Sequence, residues 1–222
     1  MVSDSLGDEA QAGGKTGMTG ERPGRPARAD ARRNLDALLQ AAMAVFAASG
    51  VDAPVREIAA KAGVGVGTVY RHFPQRSDLI VAVFRHEVDG CADAAPILAA
   101  QYGPGEALAR WMQRYVDFIA AKRGLASALH SGDPAFEVLP AYVSARLRPA
   151  VRKLLDAAAA AGEVRGDIDP NDLLTAVASL SMPAHGGGVD QARRMVALLG
   201  DGLRYGAGAD SPASTPQTAS SL

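Results

Sequence analysis

Residues 55–80 read VREIAAKAGVGVGTVYRHFPQRSDLI, and this stretch decides the fold. Apolar residues recur three and four positions apart in residues 55–62 and again in residues 66–73, which is the period of an amphipathic helix. Gly63 marks the tight link between the two segments, and Pro74 ends the second. Two short helices joined by a glycine turn are typical of a helix-turn-helix, whose second helix enters the major groove of DNA.

Helical periodicity continues on both sides of this stretch, and no convincing strand alternation is present. A helix over residues 30–49 precedes it and ends at Gly50. Further helices are predicted from residue 77 onwards and over about 106–122, 139–161, 170–182 and 189–205. Pro149 predicts a kink or a break, and Asp169 with Pro170 is a capping signal. The sequence therefore predicts an all-α protein.

Positive charge is concentrated where the groove-facing helix is predicted. Residues 21–76 hold nine basic and five acidic residues, in a chain whose formal net charge is −1. On the predicted recognition helix, Val66, Gly67, Thr68 and Arg71 face outward; arginine can bind guanine through two hydrogen bonds, and a valine or threonine methyl can contact thymine. Tyr70 and His72 flank these residues and are placed to bond phosphates, which fix the register on DNA.

The stretch also resembles the DNA-binding domain of the tetracycline-repressor (TetR) family, because the glycine turn, the GTVYRHF segment and the following helix match in order and spacing. The resemblance implies that Thr68 and its neighbours read bases while Tyr70, His72 and Arg76 approach phosphates. Gly65 stands where many relatives cap the helix with serine, and Val55 replaces a common hydroxyl residue. The candidate DNA-binding residues are Val66, Gly67, Thr68, Tyr70, Arg71, His72, Arg76, Arg56 and Arg33.

The same resemblance implies a division of the chain and a mode of action. We expect disordered tails at residues 1–28 and 207–222, a helix-turn-helix domain at 29–76, and a helical effector-binding and dimerisation domain at 77–206. The last two helices would pair with a partner subunit as a four-helix bundle. A homodimer would then bind a palindromic double-stranded DNA operator, as a repressor released by a small-molecule effector. The basic segment at residues 22–33 either reaches a minor groove or is a solvated tail.

An effector pocket has candidate residues in the second half of the chain. Trp111, Met112, Tyr115 and Phe118 either line a pocket for an apolar ligand or form ordinary core. The complete set of tentative ligand-binding residues is Trp111, Met112, Tyr115, Phe118, His130, Arg146 and Met182. An ordinary surface or core position explains His130, Arg146 and Met182 equally well.

Other classes of function find little support in the sequence. No nucleophile–base pair, paired carboxylates, cofactor loop or metal-ligand spacing is visible, so we expect no enzyme activity, no catalytic residues, no cofactor and no metal. The acidic start is unlike a secretory signal, and no run of about 18 apolar residues is present, so we expect a cytoplasmic protein without membrane contact. The alternatives are a helical enzyme, or a dimeric adaptor that does not bind DNA, using the C-terminal cavity.

Overall fold

A computed structural model describes residues 25–182 and 188–205, and every regular element in those ranges is helical. The helices are α1 (Arg25–Ser49), α2 (Val55–Ala62), α3 (Val66–His72), α4 (Arg76–Gln101), α5 (Pro104–Ala121), α6 (Ala126–Leu129), α7 (Leu139–Ala160), α8 (Pro170–Ser181) and α9 (Val189–Arg204). Two 3₁₀ segments, Lys122–Leu125 and Pro134–Phe136, accompany α6. The predicted all-α fold class is confirmed.

The first helix is longer than the sequence predicts. It begins at Arg25, so residues 25–28, assigned above to a disordered tail, are helical. Pro26 does not prevent this, because an amide in the first turn of a helix has no partner within the helix. The rest of that tail, the tail at 207–222 and the loop residues 183–187 lie outside the described residues.

The two short helices form where they are predicted, around a glycine that is required by the backbone. Gly63 ends α2 in the left-handed conformation, with φ of 68°, and its N–H bonds back into the last turn of that helix. Any other residue would be strained there. Ile58 of α2 and Val69 of α3 are both fully buried in the hydrophobic core, and α2 packs on α1 and on α3.

The long helix α4 joins the two halves of the molecule. It starts with a capping box, in which the backbone N–H of Gln75 donates to Asp78 at 2.9 Å. Pro96 lies inside α4 and Pro149 inside α7, and both helices continue through these residues. Of the two outcomes predicted at Pro149, a kink or a break, the break is wrong; Leu147 and Val151 on either side are both buried in the core.

The 3₁₀ segment after α5 makes the closest contact between the C-terminal half and α1. Gly124 lies so near to α1 that a Cβ atom would be 2.8 Å from the carbonyl oxygen of Phe46 and 2.9 Å from the Cα of Ala47. Only glycine permits this approach without moving a backbone. Since α1 is the first helix of the helix-turn-helix region, Gly124 is a direct bridge between the two halves.

Helix α5 is the centre of the C-terminal half and contacts α4, α7, α8 and α9. Its buried face includes Leu108, Trp111 and Phe118, as its 3.6-residue period predicts. Asp169 caps α8 by accepting the backbone N–H of Asn171 at 2.7 Å, so the predicted cap is confirmed. Because of these contacts, a displacement of one of the four neighbouring helices can be transmitted to the other three through α5.

Candidate nucleic-acid interface

Helix α3 presents one side to solvent and keeps the other in the core. Val69 is 1% exposed, whereas Tyr70 is 53% and Val66 is 40% exposed. Arg71 and His72 are also exposed. A seven-residue helix with a bare outer face has the shape that a major groove admits.

Four of the other candidate residues also lie on accessible surface. Gly67, Arg56 and Arg33 are exposed and Thr68 is half-buried. Arg33 forms an ion pair with Asp30 one turn away, with both side chains mostly in solvent, so this pair holds its guanidinium only weakly. The structure thus brings an exposed Arg, His and Tyr together on α3 with a further arginine, Arg56, on α2.

Arg76, the remaining candidate residue, is half-buried and bound to the protein backbone. Its guanidinium donates to the carbonyl oxygens of Val51 and Ala53 in the loop between α1 and α2. It also lies over the Phe46 ring, with 5.6 Å between the guanidinium carbon and the ring centroid. Arg76 therefore holds the loop through Nε and Nη2, and its contact with a phosphate stays a prediction.

Neither α2 nor α3 has a side-chain cap. Gly65 precedes α3 and Pro54 precedes α2, and neither can supply the side-chain oxygen that normally accepts a free N–H at a helix start. Pro54 lies at the capping position, directly before the first residue of α2. The start of α3 is stabilised by a turn, in which the N–H of Thr68 donates to the carbonyl oxygen of Gly65 at 2.9 Å.

Comparison with known proteins decides the family. The model for bacterial regulatory proteins of the tetR family matches residues 38–83, and the model for the C-terminal domain of SbtR-like transcriptional regulators matches residues 103–205. A TetR transcriptional regulator of Streptomyces coelicolor is 41% identical, with a TM-score of 0.63 over 76% of this chain and 97% of that one. The chain belongs to the TetR family of transcriptional regulators.

Further relatives agree with this assignment. A TetR regulatory protein of Mycobacterium vanbaalenii is 40% identical, with a TM-score of 0.63 over 80% of this chain and 98% of that one. The HTH-type transcriptional repressor LfrR of Mycolicibacterium smegmatis is 47% identical over 57 residues, which are 26% of this chain and 30% of that protein. The chain thus spans about a third of the length of the curated relatives it matches.

The aromatic residues predicted to line an effector pocket are packed into the core of this TetR-family protein. Trp111 and Phe118 are each 1% exposed, and the Trp111 indole N–H donates to the carbonyl oxygen of Cys91 at 2.9 Å. The ring of Tyr115 stacks on both, with centroid separations of 5.6 and 5.9 Å. Trp111 and Phe118 are therefore core residues, whereas Tyr115 also lines an open depression between α5, α7 and α8.

The remaining predicted effector residues are dispersed, so one shared pocket is not what the structure supports. Met112 contacts α9, where a Cβ on Gly200 would be 3.2 Å from its methyl group. His130 is exposed, with Nδ1 2.7 Å from the carbonyl oxygen of Ala126, and Met182 is 63% exposed at the end of α8. Arg146 bridges α7 to two aspartates of α4, as described next.

The link between α4 and α7 is a polar network that the sequence analysis did not find. Arg146 donates from Nε to Asp89 at 2.6 Å and from Nη2 to Asp93 at 2.8 Å. Tyr142 donates its hydroxyl to Asp89 at 2.8 Å, and burial is the main reason that its pKa is raised. The four-residue spacings of Asp89 with Asp93 and of Tyr142 with Arg146 were the available signal, since each pair shares one helix face.

The described residues contain neither a metal-binding cluster nor a helix that could span a membrane. No group of three or more His, Cys, Asp or Glu side chains lies close enough to hold a metal ion. No helix in the described ranges has the length and apolar character needed to cross a membrane.

Proposed function

We propose that this TetR-family regulator is a repressor that binds a palindromic operator as a homodimer and leaves it when a small-molecule effector binds. Residues 29–76 are the DNA-binding domain in this proposal, and residues 77–206 are the effector-binding and dimerisation domain. The protein acts on cytoplasmic DNA. The bare outer face of α3, with Val69 buried behind exposed Tyr70 and Arg71, is the observation that carries the proposal.

The candidate contacts divide into two kinds by their chemistry. Arg71 and Thr68 carry the hydrogen-bonding and methyl groups that distinguish base pairs in a major groove. Tyr70, His72 and Arg56 have donors suited to phosphates, which position the protein without reading sequence. Base readers and phosphate binders respond differently to mutation, and this difference makes the assignment testable.

Selection of bound DNA from a random pool, followed by band-shift titration across a range of salt concentrations, tests operator binding. A symmetric consensus with half-sites about one turn of DNA apart is expected. Arg71→Ala should reduce the preference for the selected site over random DNA by about 5- to 100-fold, which corresponds to one lost base contact. Arg56→Ala should instead weaken binding to all sequences and make the salt dependence shallower.

Arg148→Ala is the matched control, because Arg148 is an exposed arginine on α7, far along the chain from α3. It should leave both site preference and salt dependence unchanged. Full site preference in the Arg71→Ala protein would remove the base-reading role, and failure to select any symmetric site would refute operator binding by a dimer.

The proposed dimer face lies on α9. Met195 is 36% and Leu198 is 70% exposed, and their spacing of three residues puts both on the same side of the helix. Tyr205, directly after the end of α9, is 88% exposed. Large apolar side chains exposed in this way are typical of an interface. A second copy of the chain, related by two-fold symmetry, would cover the same residues on both subunits.

Sedimentation equilibrium of two charge-introducing variants tests the dimer. Leu198→Glu should dissociate it and lower operator affinity, since each subunit would then present a single recognition helix. Ile97→Glu is the control, because Ile97 is 56% exposed on α4 and not on the proposed face. A Leu198→Glu protein that sediments as the wild type does would exclude this face.

A further inference from the structure

The outer face of α3 has a gap near its start. Gly67 is exposed there, and the residues three and four positions further along, Tyr70 and Arg71, are exposed on the same side of the helix. Val69, on the opposite side, is buried. Two long side chains therefore border a position at which the backbone of α3 itself forms the surface.

The folded protein does not itself require a glycine at position 67. The φ angle of Gly67 is not positive, so other residues can adopt the same backbone conformation. Within the described residues, a Cβ atom at this position would have no neighbour within 4 Å outside its own stretch of the helix. Gly124 differs, because a Cβ atom there would collide with the backbone of α1. No contact in the described part of the chain therefore explains the glycine at position 67.

This glycine weakens a helix that has little stability of its own. Helix α3 has seven residues and no side-chain cap, and glycine is less favourable than alanine inside a helix. An alanine at position 67 would thus stabilise α3 without disturbing a neighbour. A local loss of stability that nothing in the free protein compensates is typical of a surface that meets a ligand.

We infer that Gly67 is a specificity-determining residue: because it has no side chain, the backbone of α3 can lie directly against the edge of a base pair in the operator. This inference rests on the proposed function and goes beyond it, since the absence of a side chain has the role here, not a donor or a methyl group. The first residues of a recognition helix contact base edges, and Gly67 is the second residue of α3. Glycine permits such a close approach of backbone and ligand.

The close approach matters for specific binding and not for non-specific binding. Base edges are reached inside the major groove, whereas the phosphates lie along its borders. Non-specific binding depends on the phosphates alone, so it does not require full insertion of the helix. A side chain at position 67 should therefore weaken binding to the operator and leave binding to random DNA nearly unchanged.

Gly67→Ala tests this inference, because its two expected effects on the protein have opposite signs. The melting temperature of the free protein should rise by about 1–4 °C through helix propensity. Affinity for the selected operator should fall by about 5- to 150-fold, the range for one misplaced methyl group at a close contact. Affinity for random DNA should change by less than about twofold. Thermal unfolding and band-shift titration at a single salt concentration measure these quantities on the same preparation.

Gly90→Ala is the matched control, because Gly90 is an exposed glycine inside α4 with ordinary space for a methyl group. It should raise the melting temperature to a similar extent and leave the operator affinity unchanged. Gly67→Leu extends the series, since leucine is a good helix former and is larger than alanine. It should bind the operator more weakly than the Gly67→Ala protein does.

A purely structural role for position 67 predicts a different result, because a more stable α3 would bind the operator as well as the wild type does, or more tightly. Unchanged or increased operator affinity in the Gly67→Ala protein would therefore overturn the inference. An equal loss of affinity for operator and random DNA, or a lower melting temperature, would also overturn it. Failure of the wild type to prefer any symmetric site refutes the proposed function and this inference with it, whereas a wild-type preference that survives in Gly67→Ala refutes this inference alone.

Discussion

Replacing Gly124 with alanine should destabilise the protein, whereas the same change at Gly90 should stabilise it. Both glycines lie in helical segments and neither has a positive φ, so helix propensity alone predicts a gain of about 0.5–1 kcal/mol at each site. The surroundings differ. A Cβ on Gly90 would have its nearest neighbour, Nη2 of Arg114, at 3.6 Å, which is an ordinary contact.

At Gly124 the added methyl group would meet atoms that cannot turn away. Its Cβ would lie 2.8 Å from the carbonyl oxygen of Phe46 and 3.0 Å from the amide nitrogen of Ala47, both in the backbone of α1. Overpacking of this kind costs about 1–3 kcal/mol, which exceeds the propensity gain. The net loss of about 1–2 kcal/mol should lower the melting temperature by about 2–8 °C, whereas Gly90→Ala should raise it by about 1–4 °C.

Thermal unfolding of the two variants and the wild type, followed by circular dichroism, measures both shifts under the same conditions. Opposite signs are the expected result. If Gly124→Ala melts at or above the wild-type temperature while Gly90→Ala is stabilised, the close contact between the 3₁₀ segment and α1 is wrong. That outcome would also remove the bridge between the two halves of the molecule.

Three further measurements follow from other parts of the structure. Arg76→Ala should lower the free energy of unfolding in urea by about 2 kcal/mol, because it removes charged hydrogen bonds to Val51 and Ala53; a loss below about 0.5 kcal/mol would contradict the clamp. Burial raises the pKa of the Cys91 thiol from 9.0 to about 12. Alkylation of this thiol near neutral pH should therefore be roughly a thousandfold slower in the native protein than in urea, which mass spectrometry measures. Burial also raises the pKa of Tyr115 to about 12, so the unfolded chain loses the Cys91 and Tyr115 protons at a lower pH than the folded protein does. The free energy of unfolding in urea should therefore be constant below about pH 9 and fall between about pH 9 and 12. A rise over that window would contradict the burial of both groups.

The helix-turn-helix was predictable because its signals are local. Gly63, the apolar spacing in α2 and α3, and the family resemblance all lie within the 26 residues quoted first. The helices at the other end of the chain were equally accessible, since the Asp169 cap and the 3.6-residue period are short-range features. The loop contacts of Arg76 were not predictable, because a motif that suggests a phosphate contact does not reveal the carbonyl oxygens of a loop more than twenty residues away.

The effector residues stay a prediction, because a cavity is made by several elements at once. The stripe of Trp111, Tyr115 and Phe118 identifies a helix face, but periodicity alone does not tell which ring reaches a cavity. That depends on α7 and α8, which supply the opposite walls. The contact at Gly124 was out of reach for the same reason, since it is imposed by the backbone of α1, far away in the chain.

The clamp at Arg76 has a consequence for the thermodynamics of association. In the free protein the residues between α1 and α2 are already fixed by the guanidinium, so contact with a duplex need not restrict them further. Ordering a flexible segment costs about 1–2 kcal/mol for each residue, and a preformed segment avoids that cost at the moment of binding. We therefore expect the clamp to favour association with a duplex by reducing an entropic penalty.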